Sequence, residues 1–351
     1  MKLIKKVIGV DISKDSFTIR FGTLDQELQQ KISKPFKFES NPKGFNQLLK
    51  TVRKVHYFDS ETSTDTSAKD ITIWVLMEAT GVYYENLAYF LVKNKYSVSV
   101  VLPNKVKNFA KTLENKSKTD DIDAANQTQF GLEKTLKAWE PPPLIFKELK
   151  ELTRESQSLK ESITRIKNQL HAKSYSFEAN KDTVKRSNQH KKFLQQQLKQ
   201  INTQIMALVE SDKELCERIK TVSSIKGVGP MTVIRTVAET SGFALIKNKN
   251  QLASYAGYDI IHDQSGTHIG KTRISKKGNK QIRSAMYMPA LCAIKHNEKS
   301  KQLYVRLCKT KANKKIALIA VARKLLLLIY CLWKKNEKYI QNYSNAKQLK
   351  S

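Results

Sequence analysis

Val7–Phe21 reads VIGVDISKDSFTIRF, an apolar run broken by four polar residues and followed by Phe17, Ile19 and Phe21 at every second position. Period-two alternation on both sides of a short polar turn is the pattern of a β-hairpin, with Asp11 near the end of its first strand. Downstream, Asn41 before Pro42 is a helix-start signal, and Phe45, Leu48, Leu49 and Val52 then fit one helical face. A polar run, DSETSTDTSAKD at 59–70, reads as a loop insertion. ITIWVLMEAT at 71–80 is nearly continuously apolar, as expected of a strand buried on both faces, and carries Glu78 at its end. A helix through Tyr84, Leu87, Phe90 and Leu91 and a strand in SVSVVLP (97–103) complete an alternation of strands and helices, which predicts an α/β layer with carboxylates at strand ends.

KSKTDDIDA at 116–124 adds a third acidic group. On a helix Asp120 and Asp123 share a face, three residues apart, whereas Asp121 points about a quarter turn away. Taken singly, such acids are ordinary caps. Asp11, Glu78, Asp120 and Asp123 together would repel one another unless cations sat among them. Two divalent ions would balance four carboxylates while polarising a phosphoryl oxygen and activating the attacking group.

From Leu149 the chain keeps apolar residues three and four apart through Leu152, Leu159, Ile163, Ile166 and Leu170, with Ser156 as a polar interruption. A second series runs Leu194, Leu198, Ile201, Ile205, Leu208, Asp212, Leu215, Ile219 and Val222. Two long helices are predicted, joined by a polar linker at about His171–His190; their stripes serve equally a hairpin within one chain or a coiled coil between two.

Charge separates the remainder. Of 63 basic and 32 acidic residues (net +31), residues 221–351 hold 25 and 5, a net +20. Self-repulsion of this size points to a polyanionic partner, and nucleic acid is the natural one. If eight such cations neutralise phosphates, affinity falls by roughly 10³ to 10⁵ between 50 and 200 mM salt. IKGVGPMTVIRTVAE from Ile225 resembles a helix-hairpin-helix element in which Gly227 and Gly229 form a tight turn with N–H groups turned to phosphate. A glycine-punctuated basic stretch follows, with Ser265 in an SG turn and Lys271, Arg273, Ser275, Lys276, Lys277, Lys280 and Arg283 around it. From spacing alone the better reading of either serine is a turn former bonded to its own backbone.

Other classes find no support. Cys216, Cys292, Cys308 and Cys331 lack the spacing of a zinc site or disulfide framework and read as reduced, mostly buried thiols. IALIAVARKLLLLIYCLW (316–333) holds Arg323 and Lys324 at its centre, so a buried or partner-facing helix is expected and no membrane association. With no secretory pattern at MKLIKKVIGVDIS, a cytoplasmic location is expected.

VGVDISKDSF, MEATGVYYENL, KTDDIDA, the GVG turn, YAGY, QSG, RISKKGNKQIR and AVARKLLLLIY occur in the order seen in DEDD-type insertion-sequence transposases related to the Piv pilin-gene invertase, and the resemblance spans nearly the whole chain. Some members are guided by a bridge RNA. The resemblance implies an α/β plus α architecture: a RuvC-like ribonuclease H fold over 1–146, a helical coiled-coil spacer over 147–220, and a mainly helical basic transposase domain over 221–351. It implies Asp11, Glu78, Asp120 and Asp123 as Mg²⁺ ligands, with two ions, and a nucleophilic serine. Ser265 fits that role because the family's serine lies in the SG turn ahead of the basic stretch; this chain has Gln264 where many relatives have a second serine. Ser275 would then bind phosphate. The expected partners are DNA and a bridge RNA, in a homodimer or tetramer. Competing readings are a metal-dependent RuvC-like junction nuclease, in which Ser265 is incidental, and a non-catalytic nucleic-acid-binding protein.

Overall fold

The computed structural model describes residues 2–62, 71–79, 81–113, 119–244, 246–262, 264–265, 267–270, 272–311 and 313–340. Contacts divide it into two compact units, Met1–Pro141 and Pro142–Ser351.

The first unit is a mixed sheet covered by helices. β1 (Leu3–Ile12) and β2 (Ser16–Asp25) form the expected hairpin, followed by β3 (Gln30–Ile32), β4 (Phe36–Glu39), α1 (Pro42–Thr62), β5 (Ile73–Glu78), α2 (Tyr83–Lys93), β6 (Ser97–Val101), α3 (Pro103–Ala110) and α4 (Asp120–Glu133). The strand order is β3-β2-β1-β5-β6, with β4 also on β2; β1–β2 is antiparallel, while β1–β5 and β5–β6 are parallel. Asn41 caps α1 by accepting from the Gly44 N–H at 2.9 Å. α1 continues to Thr62, so the expected loop at 59–70 is helical at its start, and its remainder lies outside the described residues. β3 and β4 are additions to the sequence reading; they are short edge strands, largely exposed, without a buried alternation to betray them.

Alternation assigns the two faces of the sheet. Ile8, Val10, Ile12, Phe17, Ile19, Val75 and Met77 pack with Phe45, Leu48 and Val52 of α1 and Leu87 and Leu91 of α2. The opposite face carries Val7 and Leu76, which pack with Phe130 and Leu132 of α4 and Phe109 of α3. α4 lies so close to β1 that a Cβ at Gly9 would stand 2.6 Å from the Ala124 carbonyl oxygen, with Thr128 backbone nearer still. Backbone cannot yield as a side-chain tip does. Gly9→Ala is therefore expected to lift α4 and destabilise the unit by about 1–3 kcal/mol or more, measured by urea unfolding; an unchanged midpoint would show that α4 is not seated this way.

The second unit begins with a helical hairpin, α5 (Leu144–Ser174) and α6 (Lys181–Glu210). Ile163, Ile166 and Leu194 are buried between them, and the polar interruption is satisfied within the pair, Ser156 Oγ donating to Asn202 Oδ1 at 3.0 Å. The connecting turn is confined to 175–180, since most of the polar segment taken as a linker extends the two helices. The second apolar series is also not one helix. It breaks at Asp212, whose carboxylate accepts from the Leu215 N–H at 3.0 Å and starts α7 (Lys213–Val222).

Next come α8 (Pro230–Glu239), α9 (Lys249–Ala256), four two-residue strands β7 (Ile260–Ile261), β8 (Gln264–Ser265), β9 (His268–Ile269) and β10 (Arg273–Ile274), then α10 (Lys280–His296), α11 (Glu298–Thr310) and α12 (Lys314–Lys335). α12 is long and apolar enough to cross a membrane, yet it is a core helix here: Val321, Leu325, Leu326 and Ile329 are buried against α7, α8 and α10 residues. The cysteines depart from expectation. Cys292 is exposed on α10 and the other three are half-buried, Cys216 and Cys331 against the core of this unit.

Candidate functional site

Two clusters, one in each unit, hold the residues singled out by sequence. In the first unit, Asp11 continues the Val7–Gly9 row of β1 and Glu78 continues the Trp74–Leu76 row of β5, so both belong to the α4-bearing face. Val10 is the parallel partner of Met77, which places Asp11 beside Glu78 on adjacent strands roughly 4.8 Å apart. α4 crosses that face with Gly131 over Val7 and Ala124 and Thr128 over Gly9. Continuing along the helix by one turn brings its N-terminus, with Asp120, Asp121 and Asp123, toward the Asp11 end of β1. Thr119 caps this end, its Oγ1 accepting from the Ile122 N–H at 3.2 Å, and three acids in a first turn suit the positive end of the helix.

Asp121 is held by a cation on the sheet. Arg20 of β2 donates to both Asp121 oxygens at 2.6 Å, and this bond holds the Asp121 carboxyl below the usual carboxylate range. Asp121 thus turns toward β2, as the quarter-turn offset predicts. Asp120 and Asp121 both line a cleft with Thr18, Pro35, Lys37 and Thr119, and Thr18 is the antiparallel partner of Asp11. The fold therefore sets Asp11 and Glu78 on adjacent strands and points the α4 N-terminus toward their end of the sheet face. Among the described residues, no three His, Cys, Asp or Glu side chains close into a cation-holding group. The donor set, carboxylate oxygen throughout, is one that hard divalent cations accept.

In the second unit, Ser265 ends β8 and is exposed; its cross-strand partner is His268. β7 pairs with β10 and β8 with β9 as two separate two-stranded pairs, Ser265 lying in the second, in a region where only helices and turns are expected from the sequence. His268 had no motif to mark it, yet directly opposed residues of such a pair have Cβ atoms about 5 Å apart. Ser275 is engaged otherwise: its Oγ donates to Asp259 Oδ1 at 2.8 Å and its N–H to the Asp259 carbonyl at 2.9 Å. Arg273, Lys276, Lys277 and Lys280 are exposed, whereas Arg283 donates to the Ala256 carbonyl at 2.7 Å; Lys271 lies outside the described residues. In the α7–α8 turn, Gly229 has open space around it and caps α8. Gly227 does not: at φ 97°, a Cβ there would stand 2.7 Å from the Ala293 nitrogen, so α10 itself demands this glycine.

A buried ion pair, not foreseen from sequence, anchors the basic segment. Glu239 of α8, only 2% exposed, accepts from Arg154 Nε of α5 at 2.7 Å, from its second guanidinium nitrogen at 3.0 Å, and from Asn279 Nδ2 at 2.7 Å. Burial pushes this carboxyl up, but Arg154 and Asn279 together hold it below the usual carboxylate range. Asn279 also caps α10 through the Gln281 and Ile282 N–H groups, and its own N–H donates to the Tyr255 carbonyl at 2.7 Å. The YAGY and KKGN segments are thereby fastened to each other and to α8.

Residues 8–173 match the DEDD transposase family of IS110 elements, and residues 219–305 match the transposase IS116/IS110/IS902 family. The chain belongs to the IS110-type transposase family. Its relatives include the pilin gene-inverting proteins of Moraxella bovis and Moraxella lacunata, each 28% identical over 337 residues, which cover 95% of this chain and 98% of the relative. The first match includes the Asp11 end of β1 together with β5 and α4 of this transposase, and the second its Ser265 strand pair and Asn279. Transposase and recombinase activity follows for the chain, with DNA as its partner.

Proposed function

We propose that this transposase cuts and rejoins the DNA of an insertion sequence through a phosphoserine at Ser265, assisted by Mg²⁺, two ions in all, held by Asp11, Glu78, Asp120 and Asp123. The observation that carries the reading is the placement of Asp11 beside Glu78 on the sheet face crossed by α4. In this reading the 1–146 region is a RuvC-like ribonuclease H fold, 147–220 a spacer, and 221–351 the basic DNA-handling part. Sequence choice is delegated to a bridge RNA, as base pairing allows in RNA-guided enzymes, and the active assembly is a homodimer or tetramer in the cytoplasm.

Ser265 Oγ attacks a DNA phosphorus. Its proton passes to a base, a phosphorus–oxygen ester bond forms to serine, and the displaced DNA oxygen leaves as a hydroxyl. A second DNA hydroxyl then reverses the step on a new strand. One ester replaces another each time, so ATP is not needed. Bound Mg²⁺ would polarise the phosphoryl oxygen and lower the cost of the developing charge. The acids supply the ligands, and the exposed strand pair presents the hydroxyl.

The test is to incubate the protein with element-end DNA and Mg²⁺, denature it, and map any covalent adduct by mass spectrometry. A DNA phosphate on the peptide containing Ser265, lost in EDTA, is the expected result. Asp11→Asn and Glu78→Gln should each reduce adduct formation about a thousandfold, the equivalent of several kcal/mol of transition-state stabilisation. Cleavage without any adduct would replace the proposal with the water-using nuclease, and unchanged biological activity of both acid variants would leave only a binding protein.

A further inference from the structure

A cleft of about 700 Å³ opens between α5, α8 and α10, and Lys280 and Arg283 of the basic segment contribute to its lining. Lys160, Arg235, Lys280 and Arg283 line it, and among the described residues no carboxylate does. Arg235 is held by neutral groups, donating to Gln157 Oε1 at 2.9 Å and to Gln281 Oε1, while its Nε is buried without a hydrogen-bond partner. The nearby acids have other partners. Glu239 is bound by Arg154 and Asn279, and Glu161 accepts from Gln157 at 2.7 Å. Burial and the charge of Arg235 hold the Lys160 ammonium below its usual range, and burial likewise lowers Arg235. Glu239 and Glu161 offset part of this for Arg235, and an anion seated in the concave site would relieve the remainder.

The rim indicates what kind of anion. Lys280, Arg283 and Tyr287 recur at i, i+3 and i+7 on one face of α10, and Met288 follows; Tyr287 is 47% and Met288 67% exposed. Lys280 to Tyr287 covers about 10 Å of helix axis, comparable with one nucleotide from phosphate to base edge. A cationic floor beside an exposed aromatic ring is how single strands are held without sequence preference. We propose that this cleft binds one polynucleotide strand, Lys160, Arg235 and Lys280 neutralising its phosphodiester and Tyr287 stacking on an unpaired base.

The ligand class rests on the recombinase reading, and the experiment separates the two. The full chain is titrated against fluorescein-labelled dT15, U15 and a 15-base-pair duplex by anisotropy. Lys160→Gln and Tyr287→Ala, both at exposed side chains, should each weaken single-strand binding at least fivefold and leave the duplex within twofold. Lys167→Gln, an exposed α5 cation outside the cleft, is the control. Lys160→Gln should also lower the log–log salt slope by about 0.7. Arg235→Gln should weaken single-strand binding as well; should it fail to fold by circular dichroism, the other two variants decide. Preference for dT15 or U15 identifies the strand as DNA or RNA. Binding indistinguishable from Lys167→Gln, or equal losses on single strand and duplex, overturns the proposal. An intact Ser265 adduct with cleft-independent binding defeats this inference alone, whereas cleft-dependent binding without an adduct defeats the recombinase mechanism alone.

Discussion

Ser265→Ala is expected to abolish strand exchange and the covalent adduct together, a loss on the order of 10⁶-fold if the serine carries the chemistry as nucleophilic serines do elsewhere. Ser275→Ala should behave differently. Its hydroxyl donates to Asp259 beside the β7–β10 pair, so removal leaves that carboxylate one hydrogen bond short, at a cost of about 1–3 kcal/mol in stability, while adduct formation per folded molecule persists. The comparison is informative because both serines lie in the same basic segment, ten residues apart, and both variants keep its charge. Adduct yield per folded molecule, with folding read by circular dichroism, separates them. Loss of the adduct in Ser275→Ala with retention in Ser265→Ala would reverse the assignment, and retention in both would remove serine from the mechanism.

The sheet was legible because alternation does two things at once: it names strands and assigns faces. Val7, Gly9 and Asp11 on one strand and Trp74, Leu76 and Glu78 on another are two rows of a single surface, and the fold of 1–141 is largely the consequence. The offset of Asp121 from Asp120 and Asp123 was equally a matter of helical geometry, and its partner Arg20 accounts for the residue left over. What escaped was pairing at long range. Arg154 and Glu239 are 85 residues apart, and within PMTVIRTVAE the glutamate looks like an ordinary end-of-helix charge. The four short strands around Ser265 were invisible for another reason: two residues cannot display a period, and the glycines that flank them suggest only turns. Gly227 shows the converse, a residue read as a phosphate seat whose need for a missing side chain comes from Ala293 on a helix more than sixty positions later.

That long-range ion pair supports the second large effect. Arg154→Met should destabilise the 142–351 unit by about 3–5 kcal/mol at pH 7, because it strands a carboxylate whose side chain is wholly buried, with Asn279 as its remaining partner. Glu239→Gln should cost less, about 1–2 kcal/mol, since the Arg154 left behind is half exposed and regains water. The pH dependence gives the sign. In the wild type the Glu239 carboxyl titrates below its ordinary value, so its contribution is complete above that value and is lost as pH falls through the lowered one. In Arg154→Met the same carboxyl loses its cation and burial raises its titration; the charged form then weakens the fold as pH rises. The deficit of Arg154→Met relative to wild type should therefore shrink between pH 7 and pH 4, whereas a lost packing contact would leave it constant. Urea unfolding of both proteins at the two pH values measures this. A constant deficit, or a larger loss in Glu239→Gln than in Arg154→Met, would show that the carboxylate is not the buried charge on which the α5, α8 and α10 junction depends.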